Sequence, residues 1–188
     1  MLGHRKFDPS VLQGKRVLDI GCGRQKLPGS IGADYHPHPG VDVVCDLNGG
    51  LPFGNESMDV VFANQVLEHI TRLEHLIYEV HRILRPGGML VAHTPYFRSA
   101  WAHIDPSHVR SFTLSTLDYF VRGTYCYDYY RFAETAYSAK AVYLDTDYPS
   151  GLMRAFFSRL AIRRPFQFEN SVLSFAFPFE QITYVLTK

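Results

Sequence analysis

Two carboxylates bracket a glycine-rich bend near the start of the chain. Asp19 sits in the short apolar run Val17-Leu18-Asp19-Ile20, Gly21-Cys22-Gly23 follows at once, and a second short apolar segment ends at Asp34. A glycine pair lets the backbone turn tightly and pass close to a ligand without Cβ interference. An acid closing a second strand is placed to accept hydrogen bonds from both hydroxyls of a ribose. The pattern describes a nucleoside-cofactor site. A dinucleotide fingerprint would put a third glycine at position 26, to let the following helix pack and face a pyrophosphate. Lys26 stands there. Asp19 before the bend is an awkward neighbour for a pyrophosphate and a good one for a cationic ligand, which disfavours an NAD-dependent dehydrogenase.

A second concentration of chemistry lies downstream. His103, Asp105, His108 and Arg110 fall within eight positions, flanked by Trp101 and Phe112. Three readings of this stretch compete. In a polar network, His103 or His108 takes a proton from a nucleophile, Asp105 orients it, and Arg110 holds an anionic group. In a metal site, two imidazoles and one carboxylate form a ligand set. In a structural reading, Asp105-Pro106 initiates a turn and His108 bonds backbone carbonyls. The network is preferred, with no metal assigned, because Pro106 restrains the loop and no fourth ligand is evident nearby. His36 and His38, in the turn cluster Tyr35 to Gly40, are read as loop residues.

The elements that must position these groups follow from periodicity. Val41 to Cys45 reads as a third strand, leading into Asp46-Leu47, and Met58 to Ala63 as a fourth, leading into Asn64-Gln65. Open α/β sheets bind ligands beyond the carboxyl ends of their strands, so Gln65 and His69 are pocket candidates; His69 reads equally well as a structural cap. Thr71-x-x-Glu74 is a predicted capping box. Leu73, Leu76, Ile77, Val80, Ile83 and Leu84 recur at spacings of three and four and predict one buried helix face. Pro86-Gly87-Gly88 is expected to stop that helix, and Met89 to Thr94 to form a fifth strand. Ala139 to Leu144 and Gln181 to Thr187 predict two more. Thr113 is expected to cap a short helix that buries Leu114, Leu117 and Phe120 and ends at Gly123. Tyr125, Tyr127, Tyr129, Tyr130 and Phe132 line an acceptor pocket or fill a small core.

Four stretches carry a family resemblance. D-I-G-C-G (Asp19 to Gly23) resembles the first motif of class I S-adenosylmethionine-dependent methyltransferases. V-L-E-H (Val66 to His69) and R-I-L-R-P-G-G-M-L (Arg82 to Leu90) resemble motifs of the small-molecule enzymes often grouped as type 11. H-x-D-P-x-H-x-R followed by F-T (His103 to Thr113) resembles the post-strand segment that borders the active site in a subset of them. The resemblance implies a Rossmann-like, doubly wound α/β fold: a mostly parallel sheet of about seven strands, its last strand antiparallel and inserted beside its predecessor. It implies S-adenosylmethionine as cofactor, with S-adenosylhomocysteine as product. The cofactor residues implied are Asp19, Gly21, Cys22, Gly23, Asp34, Tyr35, Asp46, Leu47, Asn64, Gln65 and His69. Among them, Asp46 would receive the adenine amino group and Leu47 would pack on the ring; a strand-end aspartate capping a turn is the plainer reading of Asp46. One departure stands out. Asp34 follows Gly23 by only eleven positions, and Pro28-Gly29 interrupts the interval. The first crossover helix is therefore expected to be very short or replaced by a loop, leaving the methionine end of the cofactor more exposed.

Composition narrows the function class. The 188 residues are 46% hydrophobic and 20% charged with a formal charge of +1, so no overall field would hold a polyanion. Cys22, Cys45 and Cys126 are odd in number and form no C-x-x-C pair, fitting a reducing, cytoplasmic setting. Neither a signal-peptide core nor a membrane-spanning run is present. The chain reads as one domain over 1–188. Residues 17–94 form the cofactor half, 95–135 a substrate-side loop and helix, and 145–179 an insertion between the last two strands. In that insertion Arg154, Arg159, Arg163 and Arg164 lie beside Phe156, Phe157 and Leu160. This predicts a helix packed on its own domain in preference to a peripheral membrane contact through 151–165. The expected reaction is methyl transfer to a small-molecule acceptor by in-line displacement. A base-methylating enzyme would carry a Pro-Pro-aromatic motif where this chain has Ala63-Asn64-Gln65-Val66; Pro95-Tyr96 comes one strand too late. A macromolecular acceptor and a non-catalytic cofactor- or partner-binding module are the alternatives.

Overall fold

The computed structural model describes residues 8–131, 133, 135–145, 151–177 and 179–188. Its frame is a seven-stranded sheet formed by β1 (Val17–Ile20), β2 (Ile31–Asp34), β3 (Val43–Val44), β4 (Met58–Asn64), β5 (Leu84–Pro95), β6 (Ala139–Asp145) and β7 (Gln181–Thr187). The spatial order is β3-β2-β1-β4-β5-β7-β6. The first five strands run parallel, and β7 lies antiparallel between β5 and β6. This is the Rossmann-like arrangement expected, including the inserted last strand.

Strand alternation divides the core between the two faces. Leu18, Val61, Leu90 and Ala92 face the larger cluster, packed under α1 (Leu73–Ile83), whose Leu73, Leu76, Ile77, Val80 and Ile83 are all buried. Their neighbours Val17, Val60 and Val91 face the other side and join Leu12 in a much smaller cluster. The second face is thin for a visible reason: between β1 and β2 the chain forms no helix. Residues 21–30 make a loop, held where the Leu27 amide donates to Asp19 Oδ2 at 2.7 Å and the Ser30 hydroxyl to the Leu27 carbonyl at 2.7 Å. The missing first crossover helix was predicted from Pro28-Gly29.

Several local expectations are corrected. The third strand is two residues, Val43–Val44, rather than 41–45. The capping box does not form: α1 has Arg72 at its N-cap, without a side-chain cap bond. Asn48, from another loop, accepts instead from the Arg72 amide at 3.0 Å and the Thr71 hydroxyl at 2.8 Å, while Glu74 accepts from the Tyr78 hydroxyl. A tertiary acceptor has taken the place of the local one. The helix ends at Ile83, before Pro86-Gly87-Gly88, and those residues lie inside β5, where the pairing register with β4 jumps. The turn after Thr113 runs Thr116–Phe120 and has no side-chain cap, although Leu114, Leu117 and Phe120 are buried as expected.

Beyond β5 come α2 (Trp101–Ile104) and α3 (Tyr125–Tyr130). Of the α3 tyrosines, Tyr127 is half-buried against the main core, one of the two roles foreseen, whereas Tyr125, Tyr129 and Tyr130 fill neither: they are exposed and pack on one another. Phe132 lies outside the described residues. The insertion forms α4 (Gly151–Arg163), α5 (Pro165–Glu169) and α6 (Leu173–Ala176). Glu169 ties it to the sheet, accepting from the Tyr96 hydroxyl at 3.1 Å and the Leu114 amide at 2.8 Å.

Candidate active site

The bend after β1 depends on the absence of a side chain at one position. Gly21 has φ +62°, and a Cβ there would lie 2.4 Å from Val66 Cγ2. Its amide, with that of Cys22, donates to the Ala33 carbonyl. Asp34 then closes the bend from the end of β2: Oδ2 accepts from the Gly23 amide at 2.8 Å and Oδ1 from the His36 amide at 2.9 Å. Each carboxylate oxygen carries two lone pairs, so one acceptor site is left on each oxygen for a pair of hydroxyls. Asp46 likewise spends Oδ1 on the Asn48 backbone and side-chain nitrogens, leaving Oδ2.

Two hollows flank Gly21. One, of about 500 Å³, is lined by Asp19, Cys22, Asn64, Arg24, Gln25 and Phe62. Asp19 is buried there, and desolvation raises its carboxyl above the ordinary range; a cationic ligand would offset that cost. The other, of about 590 Å³, is lined by Asp34, Tyr35, Asp46, Leu47, Gln65 and His69. The predicted cofactor residues thus gather at the carboxyl ends of β1, β2 and β4. Gly23 contributes its amide to Asp34. The hollows and their spare carboxylate acceptors fit an adenosyl cation.

A third cavity, of about 450 Å³, shares Gln65 and His69 with the second and is otherwise lined by Pro95, Trp101, Ile104, Asp105, His108, the end of β6 and the residues that enter β7. Gln65 is held in the left-handed region, φ +55°, with its amide on the His93 carbonyl and its side-chain nitrogen on Gln181 Oε1 at 3.1 Å. Left-handed backbone in a non-glycine residue is costly and clusters where function requires it.

The predicted network of His103, Asp105, His108 and Arg110 is rearranged. Asp105 and His108 line the cavity; His103 is exposed outside that lining, its Nε2 on the Phe97 carbonyl. Arg110 lies outside that lining, and its Nη2 donates to the Ile70 and Thr71 carbonyls at 2.8 and 3.0 Å. Asp105 orients a different histidine through Ser107. The Ser107 hydroxyl donates to Asp105 Oδ1 at 2.6 Å, so His69 Nδ1, 3.0 Å away, donates to Ser107 Oγ. His69 and His108 then pack edge to face at 4.7 Å between ring centroids. Glu68 and Ser107 received no role from the sequence. Glu68 lies inside the V-L-E-H motif, 1% exposed, with neither carboxylate oxygen hydrogen-bonded; burial pushes its carboxyl up to about 7.

A sequence model of the family described as methyltransferase domain matches residues 30–92. A malonyl-[acyl-carrier protein] O-methyltransferase of Methylococcus capsulatus is 38% identical over 127 residues, covering 52% of this chain and 46% of that protein. A phthiotriol/phenolphthiotriol dimycocerosates methyltransferase of Mycobacterium leprae is 32% identical over 128 residues, covering 57% and 44%. The chain therefore spans less than half the length of these relatives. Among solved structures, a SAM-dependent methyltransferase from Archaeoglobus fulgidus superposes with TM-score 0.63 at 18% identity, over 96% of this chain and 89% of that one. The [4+2]-cyclase SpnF superposes at 0.53 and 18% identity, over 93% and 75%. The fold is shared by proteins of different stated activity, so the reaction must be argued from the site.

Proposed function

We propose that this chain is a class I S-adenosylmethionine-dependent methyltransferase that transfers a methyl group to a small-molecule acceptor by in-line displacement, a reading supported by the partial family match and the shared fold. The observation that carries this reading is the shared wall: Gln65 and His69 line both the hollow beside Asp34 and the cavity beside His108. One wall between a nucleoside-sized hollow and a second cavity is what direct transfer between two bound molecules requires. S-adenosylmethionine, when bound, supplies an electrophilic methyl carbon on a sulfonium.

The chain's own residues do the holding. Asp34 receives the ribose hydroxyls, Asp46 the adenine amino group and Leu47 the ring, while Asp19 supplies negative charge on the far side of Gly21. Gln65, fixed from both backbone and side chain, keeps the wall at a set distance between the two partners. Positioning of this kind lowers a barrier by roughly 7–11 kcal/mol. The acceptor's proton, where one is lost, is handled by the Glu68, His69 and His108 cluster. The substrates in the relatives' names, a phthiotriol or phenolphthiotriol dimycocerosate and a malonyl-[acyl-carrier protein], are compatible with the apolar Trp101 and Ile104 side of the cavity.

Isothermal titration with S-adenosylmethionine and S-adenosylhomocysteine, followed by an acceptor screen scored by release of the homocysteine nucleoside, tests the proposal. Asp34→Ala is expected to weaken cofactor binding by about 1.5–3 kcal/mol, the scale of hydrogen bonds to a charged group; an unchanged affinity would place the ribose elsewhere. His108→Ala is expected to keep cofactor affinity and lower turnover by about two to four powers of ten, whereas His103→Ala should leave turnover near wild type. Tight cofactor binding with no turnover on any acceptor would favour the non-catalytic module.

A further inference from the structure

We propose that Glu68, His69 and His108 form a site for a single divalent transition-metal cation of the zinc class, opening onto the acceptor cavity. One donor atom from each residue lies within 4.8 Å of the other two. The triangle is fixed by backbone: Glu68 and His69 share the single turn Leu67–His69, and the Val109 amide donates to the Glu68 carbonyl at 2.9 Å, holding the His108 segment against that turn.

The hydrogen bonds around the cluster are those expected of ligands. Metal-binding imidazoles characteristically donate their other ring nitrogen to a carboxylate, carbonyl or similar acceptor, which fixes tautomer and orientation. His69 Nδ1 donates to Ser107, itself bonded to Asp105; His108 Nδ1 lies 3.3 Å from the Ala102 carbonyl and donates to it. In both rings this leaves the Nε2 lone pair available. Glu68 supplies the independent observation. A carboxyl group 1% exposed, with both oxygens lacking a hydrogen-bond partner, is an exception to the rule that buried polar groups are satisfied. A cation removes the exception.

Two imidazoles and one carboxylate suit zinc, cobalt, iron or nickel and do not suit magnesium, which prefers oxygen ligands and retained waters. Zinc bonds of about 2.0–2.2 Å place tetrahedral donor atoms roughly 3.4 Å apart, so capture draws the three side chains inward by about an ångström. His69 and His108 line the acceptor cavity, so the open coordination position faces it. An acceptor carrying an oxygen or nitrogen donor would bind there and release its proton more readily to bulk water, the electron pair staying on the attacking atom for the new bond to the methyl carbon. The metal-assisted role rests on the methyl-transfer reading; the ion site does not.

The full chain, stripped with chelator, is titrated with CoCl₂ in the presence and absence of excess MgCl₂, and zinc content after dialysis is measured by elemental analysis. The expected result is one equivalent of metal, a visible cobalt d–d band of low coordination number, no thiolate-to-cobalt charge transfer, and little competition from magnesium. Glu68→Gln and His108→Ala should each weaken cobalt binding at least tenfold, while His103→Ala leaves it unchanged. Glu68 is buried, so its variant is scored only if near-ultraviolet circular dichroism matches wild type; His108, on a half-buried loop position, provides the second reading. No cobalt band, a band with thiolate charge transfer, or a band undiminished in His108→Ala would overturn the site. Cofactor binding without metal binding sinks the ion site alone. Metal binding without cofactor binding supports the ion site and removes the methyl-transfer reading.

Discussion

The cofactor half and the α4–α6 insertion solve the problem of burying apolar surface in different ways. In the first, α1 turns Leu73, Leu76, Ile77, Val80 and Ile83 onto the strands and all are buried. In the second, α4 presses Ser158 and Ala161 inward and Phe157 stacks on Phe177. Leu152, Phe156, Phe166, Val172 and Phe175 nevertheless remain 63–89% exposed. Polar contacts divide the same way. Glu79 of α1 accepts from Arg82 and the Leu51 amide, and Arg82 reaches on to the Leu51 and Phe53 carbonyls and Asn55. The insertion's links to the rest of the domain include buried Glu169 and an ion pair between Arg154 and Asp145 of β6. The sheet and α1 form a rigid holder, and the insertion is an attachment whose outer face is under little packing constraint.

The sharpest way to break the comparison is to truncate one side chain in each region. Leu76→Ala, at a fully buried position, is expected to cost about 2–5 kcal/mol in denaturant unfolding. Acid should act next. Arg82 beside Glu79, together with the Leu51 amide, holds the Glu79 carboxyl down at about 2 from an ordinary 4.5. A carboxyl depressed in the folded state stabilises above its unfolded pKa and loses that contribution as pH falls toward the folded value. Stability should therefore drop between about pH 4.5 and pH 2 by an amount on the order of 2 kcal/mol. Glu79→Gln should flatten that part of a melting-temperature profile; an unaltered profile would mean the acid sensitivity lies elsewhere. The smallest effect is expected at Phe166→Ser on the insertion, within about 0.5 kcal/mol of wild type. A loss comparable to that of Leu76→Ala would show that the insertion's outer face is packed after all, and the contrast between the regions would disappear.

Much of the frame could be read from residue order. Strand alternation, the three-and-four spacing of α1 and the interruption at Pro28-Gly29 act locally, and each gave the right element. Asp34 at the end of β2 and Gly21 at the bend were legible because the strand–turn–strand geometry follows from adjacent residues. Capping failed as a local rule: Asn48 reaches in from 23 residues away to bond Thr71, and no pattern around Thr71-x-x-Glu74 announces it. Tyr127 reached the core, but Tyr125, Tyr129 and Tyr130 were misjudged because aromatic density does not say which surfaces will be near enough to cover them.

What the sequence determined by itself was the sheet, the glycine bend and the acids at the strand ends, since these depend on periodicity and on backbone conformations available to particular residues. Tertiary structure alone decided which histidine meets which acid. Asp105 reaches His69 across 36 positions through Ser107, Arg110 is drawn to carbonyls of the Ile70-Thr71 turn, His103 is turned outward, and Glu68 is sealed beside His108. Those pairings follow from where the loop after β5 lands on the end of β4, and long-range packing sets that position, not the spacing of residues along the loop.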